Sequence, residues 1–157
     1  IASSIGSDVP FFIRCRSAIA SGRGEKLKAV RLPGYHYLLV NPGFQVSTAW
    51  AYGNFDLTKA GKDNTFTYSE DSFGEIDGLK DLLVNDMEGA VAARYPQVAE
   101  IKEALKGEGA AAALMSGSGP TVFGLYKDRD SRSRAFESLK GILGVRFLIF
   151  EADGITG

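Results

Sequence analysis

From residue 36 onward, the apolar positions alternate between short continuous runs and helix-spaced stripes. His36–Asn41, HYLLVN, is a compact run of strand length, closed by Pro42–Gly43. Val46–Leu57 is rich in aromatics (Trp50, Tyr52, Phe55) and opens with Ser47–Thr48, whose hydroxyls suit a helix N-cap. Lys59–Phe73 is polar without a steady period, which predicts a surface loop. Glu75–Val84 returns to helical spacing, with Ile76, Leu79 and Leu83 on one stripe. Asn85–Asp86 then predicts the cap of a second helix running through Arg94. Val98, Ile101 and Leu105 form a third stripe behind Pro96, which a first helical turn tolerates, and Gly107 and Gly109 stop it.

Ala111–Met115 and Thr121–Tyr126 are strand-like runs joined by Ser116–Pro120, SGSGP. Asp128–Ser131 caps a helix with Ala135, Leu139 and Ile142 on its inner face, and Val145–Glu151, VRFLIFE, predicts the last strand. The order is strand, helices, strand, strand, helix, strand. That is an α+β arrangement of the ferredoxin-like, split βαβ kind: an antiparallel sheet backed by helices on one face.

The first 34 residues do not join this pattern. Residues 3–14 read as a short helix or turn. Ser17–Arg31 reads as two strands around a Gly22–Gly24 turn, with Ala18, Ala20, Leu27, Ala29 and Val30 as the half-buried face. Pro33–Gly34 separates this unit from the apolar run that begins at His36. The expected division is a remnant of a preceding domain over 1–34 and a C-terminal domain over 35–157. A chain starting at Ile1, with residues that already read as the interior of something, is expected to lack an N-terminal part.

Composition narrows the partners. With 157 residues and 45% hydrophobic positions, the chain can bury one good core or one core and part of another. Eighteen basic against nineteen acidic residues leave no electrostatic footprint for nucleic acid or an anionic membrane. The single cysteine, Cys15, forbids an intramolecular disulfide and fits a reducing, cytoplasmic compartment. No apolar run approaches the roughly 20 residues needed to span a bilayer. The quaternary expectation is a monomer or homodimer.

Few residues carry chemistry. In Ile5–Phe12, IGSDVPFF, Asp8 sits between turn residues and an aromatic anchor. On its own residues the stretch reads first as a helix cap. The Ser116–Gly119 turn offers successive backbone N–H groups as a concave nest for phosphate oxygens, although a plain hairpin turn explains it as well. It is neither a Walker A loop nor a dinucleotide fingerprint. Tyr52 or Trp50 has the shape to stack on a planar base, but aromatics on a helix are more often core. The only histidine, His36, lies at a strand start with no second ligand, so no metal role is read for it. Cys15 between Arg14 and Arg16 reads as a small residue at the end of an element, and Asn85, Asp86 and Glu88 read as helix caps.

Three separated stretches nevertheless share one resemblance. IGSDVPFF with GRGEKL (Gly22–Leu27), VNPGFQVSTAWAY (Val40–Tyr52), and NDMEG (Asn85–Gly89) with SGSGPTVF (Ser116–Phe123) occur in this order in the GHMP kinases, and the chain resembles that family over nearly its whole length. The branch it is most similar to acts on a cytidylyl-bearing small molecule in the non-mevalonate route to isoprenoid precursors. The resemblance implies transfer of the γ-phosphoryl of ATP, with Mg2+, to a substrate hydroxyl. It makes Asp8 the catalytic carboxylate, gives Tyr52 and Thr48 to the cytidylyl group, and brings Gly117, Ser118 and Gly119 to the substrate side of the cleft. The family's glycine-rich ATP loop and the lysine that works beside the aspartate have no counterpart in these residues, so the chain alone is expected to be inactive. A mevalonate- or homoserine-type kinase, or a non-catalytic ferredoxin-like binding or dimerisation module, is the alternative.

Overall fold

The computed structural model describes residues 9–22, 24–54, 76–80 and 82–155. The predicted loop over 59–73 and the Asp8 position lie outside these residues. Helix α1 (Val9–Arg14) begins where Pro10 pre-sets the first turn. Next comes a two-stranded hairpin, β1 (Ala18–Ser21) against β2 (Lys26–Ala29), with Ala18 opposite Ala29 and Ser21 opposite Lys26. Its half-buried positions are Ala18, Ile19 and Leu27, while Ala20 and Ala29 are exposed. The hairpin was legible in the sequence; its buried face was not, because these short side chains leave little packing to choose a face. The hairpin forms a sheet of its own.

The second sheet has four antiparallel strands in the order β4 (Ala112–Met115), β5 (Val122–Tyr126), β3 (His36–Asn41), β6 (Leu148–Asp153). Each strand–helix–strand half therefore leaves a gap that the other half fills, as expected of a split βαβ fold. Between β3 and β4 run α2 (Thr48–Gly53), α3 (Ile76–Lys80), α4 (Glu88–Arg94) and α5 (Gln97–Gly107), and α6 (Arg129–Leu143) connects β5 to β6.

The main core lies between one sheet face and α5 and α6. Leu38, Val40, Val122 and Tyr126 meet Val98, Ile101 and Leu105 of α5 and Ala135, Leu139 and Leu143 of α6. Burial holds the Tyr126 phenol protonated, far above its ordinary range, and its hydroxyl donates to Leu105 O at 3.4 Å. At Gly124 the missing side chain is what lets α5 come close: a Cβ there would lie 2.9 Å from Leu105 Cδ2.

Three details differ from the sequence reading. The opposite sheet face is not bare: Tyr35, Leu79 and Leu125 pack there with Ile76, Leu83 and Tyr37, so α3 covers the side away from α5. An apolar stripe on a short helix needs a partner, and the alternate positions of β3 and β5 supply one. Secondly, Ile142 is 60% exposed and Leu143 is buried instead. The buried stripe of α6 includes Arg132, only 6% exposed, which turns the inner face so that Ile142 lies about 65° from its centre. Arg132 is tolerated there because it donates to Glu151, Asp153 and the Ala152 carbonyl of β6. Thirdly, Gly144, at φ +67°, ends α6 and a 3-10 turn occupies Gly144–Arg146, so the last strand starts at Leu148 rather than Val145.

Candidate functional site

Helix α2 starts where Ser47 takes an extended conformation and its Oγ accepts from Trp50 N at 3.3 Å. Residues 50 and 52 lie roughly 200° apart on a helix, so they face opposite ways. Trp50 turns inward: it meets Tyr95 edge-on at 5.9 Å, and the Arg94 guanidinium stacks over it at 4.7 Å. Phe44 stacks on the same Tyr95 at 5.1 Å. Tyr52 is left 64% exposed. Of the two aromatics named from sequence, Trp50 is therefore packing and Tyr52 is free to meet a ligand.

The SGSG turn lies beside it. Gly117 and Gly119 both adopt positive φ, at +55° and +80°. The turn closes on itself through Ser116 N to Thr121 O, 2.8 Å, and Gly119 N to Ser116 O, 3.0 Å. Three side chains hold it from outside. Thr48 Oγ1 and Ser118 Oγ are 3.1 Å apart, tying the start of α2 to the turn. Asn41 donates to Thr121 Oγ1 at 2.9 Å and accepts from Gly43 N at 2.8 Å, fixing the turn's far end to β3. Asn85 Nδ2 donates to both Met115 O and Gly117 O, each at 2.8 Å.

Between Tyr52 and the turn runs an open groove of about 510 Å3, lined by Tyr52, the Val84–Met87 segment with Asn85 in it, Leu114 and Phe123, and the Met115–Gly117 segment. The structure thus brings Thr48 to Ser118 and sets Tyr52 and Gly117 along one groove. Gly119 sits at the base of the turn against Met115. Asp8 lies outside the described residues. Asn85 and Glu88 are not the helix caps expected of them: α4 begins behind Met87 with no side-chain cap. Asn85 Oδ1 instead accepts from Met87 N at 3.0 Å, and Glu88 Oε2 accepts from Met115 N at 2.8 Å. Cys15, at φ +45°, donates its thiol to Phe12 O, and His36 Nδ1 hydrogen-bonds Asp153 Oδ1 at 2.8 Å; neither lines the groove.

Among the described residues, no three of His, Cys, Asp and Glu converge to hold a metal ion. What the arrangement offers is an exposed aromatic ring, a hydroxyl pair and a rigid turn. The Gly117 and Ser118 N–H groups of that turn have no hydrogen-bond partner among the described residues. Those are the elements for a planar group joined to an anionic one.

Comparison with known proteins gives the class. Residues 69–143 match the family profile described as GHMP kinases C terminal. The chain carries a GHMP kinase C-terminal domain. Within that class, it is 47% identical over 148 residues to the 4-diphosphocytidyl-2-C-methyl-D-erythritol kinase of Syntrophotalea carbinolica, covering 94% of this chain and 52% of that protein. A solved structure of a 4-(cytidine 5'-diphospho)-2C-methyl-D-erythritol kinase superposes with a TM-score of 0.79 at 31% identity, over 98% of this chain and 56% of the other. A homoserine kinase from Cytophaga hutchinsonii, at TM-score 0.63 and 16% identity over 83% of this chain and 45% of its own, shares the fold alone. The chain spans about half the length of the curated relatives it matches.

Proposed function

We propose that this chain forms the substrate-side half of a small-molecule kinase that moves the γ-phosphoryl of ATP to a hydroxyl of 4-diphosphocytidyl-2-C-methyl-D-erythritol. The observation that carries this reading is the groove itself, with the exposed Tyr52 ring on one side and the SGSG turn, held to Thr48 through Ser118, on the other. The ring stacks on the cytosine, and the free turn amides take oxygens of the diphosphate. Neither contact touches the reacting hydroxyl, so both act by holding the substrate still while the phosphoryl group passes.

Asp8 is the carboxylate that receives the hydroxyl proton as the substrate oxygen attacks the γ-phosphorus and ADP leaves. Residues 1–34 belong to the domain that binds ATP, and 35–157 form the C-terminal domain; the separate β1–β2 sheet supports that division. Mg2+, when bound, neutralises phosphate charge, and the described residues provide no binding set for it. We place the protein in the cytoplasm as a monomer or homodimer with no nucleic-acid or membrane partner; no helix among the described residues is long and apolar enough to cross a membrane.

The test is turnover by the complete gene product with ATP and each of three acceptors: the cytidylyl substrate, homoserine and mevalonate. The expected result is activity on the first, with Tyr52→Ala weakening its binding by about 1–3 kcal/mol, as loss of one stacked base implies. An unchanged KM in that variant, or a preference for an aliphatic acceptor, sinks the cytidylyl reading, since an exposed ring has nothing to stack on in homoserine or mevalonate.

A further inference from the structure

The segment before α4 does more than lead into a helix. Among the described residues strand β4 is an edge strand, paired only with β5, so at Met115 its outer N–H and C=O have no described strand to bond. Both are taken by side chains from one short stretch. Glu88 accepts from Met115 N, and Asn85 donates to Met115 O. The second proton of the same Asn85 amide reaches Gly117 O, one residue beyond the bend at Ser116. Its Oδ1 is meanwhile occupied by Met87 N. Three of the four hydrogen bonds open to an asparagine side chain are thus made to backbone, and the two donations straddle the point where the strand becomes the turn. Glu88 is itself held by Lys102 of α5. The brace is therefore anchored in the helical layer, not in the turn it holds.

We infer that Asn85 is a positioning residue for the cytidylyl ligand. It fixes the Met115–Ser116 and Gly117–Ser118 peptide planes, the two that flank the Ser116–Gly117 peptide, and so places the Gly117 and Ser118 amides that take the ligand's diphosphate. This deepens, and rests on, the reading of the groove given above. Asn85 touches no reacting atom, so its loss acts on binding of one substrate and not on the phosphoryl-transfer step.

The test is Asn85→Asp in the complete gene product. Aspartate has the same shape and keeps the acceptor for Met87 N. It loses both donations and sets a carboxylate oxygen against two carbonyls. Losing two such bonds predicts a KM for the cytidylyl substrate raised about tenfold or more, with kcat and the KM for ATP each within about twofold. Should Asn85→Asp fail to fold, Asn85→Ala removes the same donors without adding charge and carries the same expectation. An unchanged cytidylyl KM overturns the inference, and so does a parallel loss of kcat and both KM values, which is the mark of a general folding defect. Failure of the unsubstituted protein to phosphorylate the cytidylyl substrate removes the parent reading as well, so the two failures are told apart by the control.

Discussion

Gly119→Ala separates two costs that the glycine-rich turn avoids. At φ +80° an alanine suffers the left-handed penalty of roughly 1–2 kcal/mol. It also meets a neighbour: the added Cβ would lie 2.6 Å from Met115 Sδ and 3.5 Å from Val91 Cγ1. A methionine sulfur usually gives way, but Met115 is 1% exposed and packed in the main core, so its movement disturbs Val91 and Val122 in turn. Overpacking of this kind costs about 1–3 kcal/mol, bringing the total to roughly 2–5 kcal/mol. Gly117→Ala is the internal control. Its φ of +55° carries the same backbone penalty, yet nothing among the described residues lies within 4 Å of the new Cβ, so the expected loss is about 1–2 kcal/mol. Urea unfolding of the two variants reads the difference directly, and Gly119→Ala should melt roughly 2–12 °C below Gly117→Ala. In a Met115→Ala background the crowding is gone, and Gly119→Ala should then cost no more than Gly117→Ala. Equal losses for the two alanines in the native background would refute the packing part of this reasoning.

Three further outcomes are expected from the geometry. Gly124→Ala should lose about 1–3 kcal/mol in urea unfolding, because its Cβ meets Leu105, Tyr126 and Ala110 at once; a neutral result would mean that α5 shifts freely on the sheet. The Asp153 carboxyl is held below its ordinary range by the His36 hydrogen bond first, and by Arg132 and Arg129 beside it. A lowered folded value stabilises above the ordinary carboxylate pKa of about 4 and is lost as pH falls through the lowered one, so the melting curves of wild type and Asp153→Asn should converge below about pH 4; a gap independent of pH would contradict this. Asp8→Asn in the complete gene product should cut kcat by orders of magnitude with little change in melting temperature, and retained turnover with lost stability would return Asp8 to a helix-capping role.

Much of the fold was legible because its strands and helices change period cleanly. The runs at 36–41, 112–115 and 122–126 each have Gly, Pro or Asp within three residues of both ends, and the Val98–Ile101–Leu105 stripe has only one apolar face to offer. The misplaced positions share a cause. A pattern of apolar letters places Ile142 inside and gives a buried arginine no place, yet Glu151, Asp153 and the Ala152 carbonyl make that position satisfiable. Those partners lie 19 to 21 residues downstream on another element, where no local period reaches. The same holds for Trp50 and Tyr52. Helical geometry says that they face apart, but which one is buried is decided by Phe44, Arg94 and Tyr95.

The site divides along the same line. Its turn could be found from sequence, since two glycines within four residues mark backbone that other residues resist adopting. The brace could not, because an asparagine ahead of a helix makes the same local pattern whether it caps that helix or reaches elsewhere. Asn85 does the second, to carbonyls 30 and 32 residues away, and Glu88 does likewise over 27. There is a physical reason for the choice. Helix α4 is short, and the amides at its entry are met close by without a distant side chain, Met87 N by Asn85 Oδ1 and Glu88 N by the Asn85 carbonyl. The outer edge of β4 has no such freedom. Left open, it is a template for pairing with another chain, and left mobile, it lets the turn drift by the fraction of an ångström that separates a good hydrogen bond from a poor one. Side chains spent on the strand edge solve both problems, which is why the groove inherits its rigidity from a segment that looks, in sequence, like an ordinary helix start.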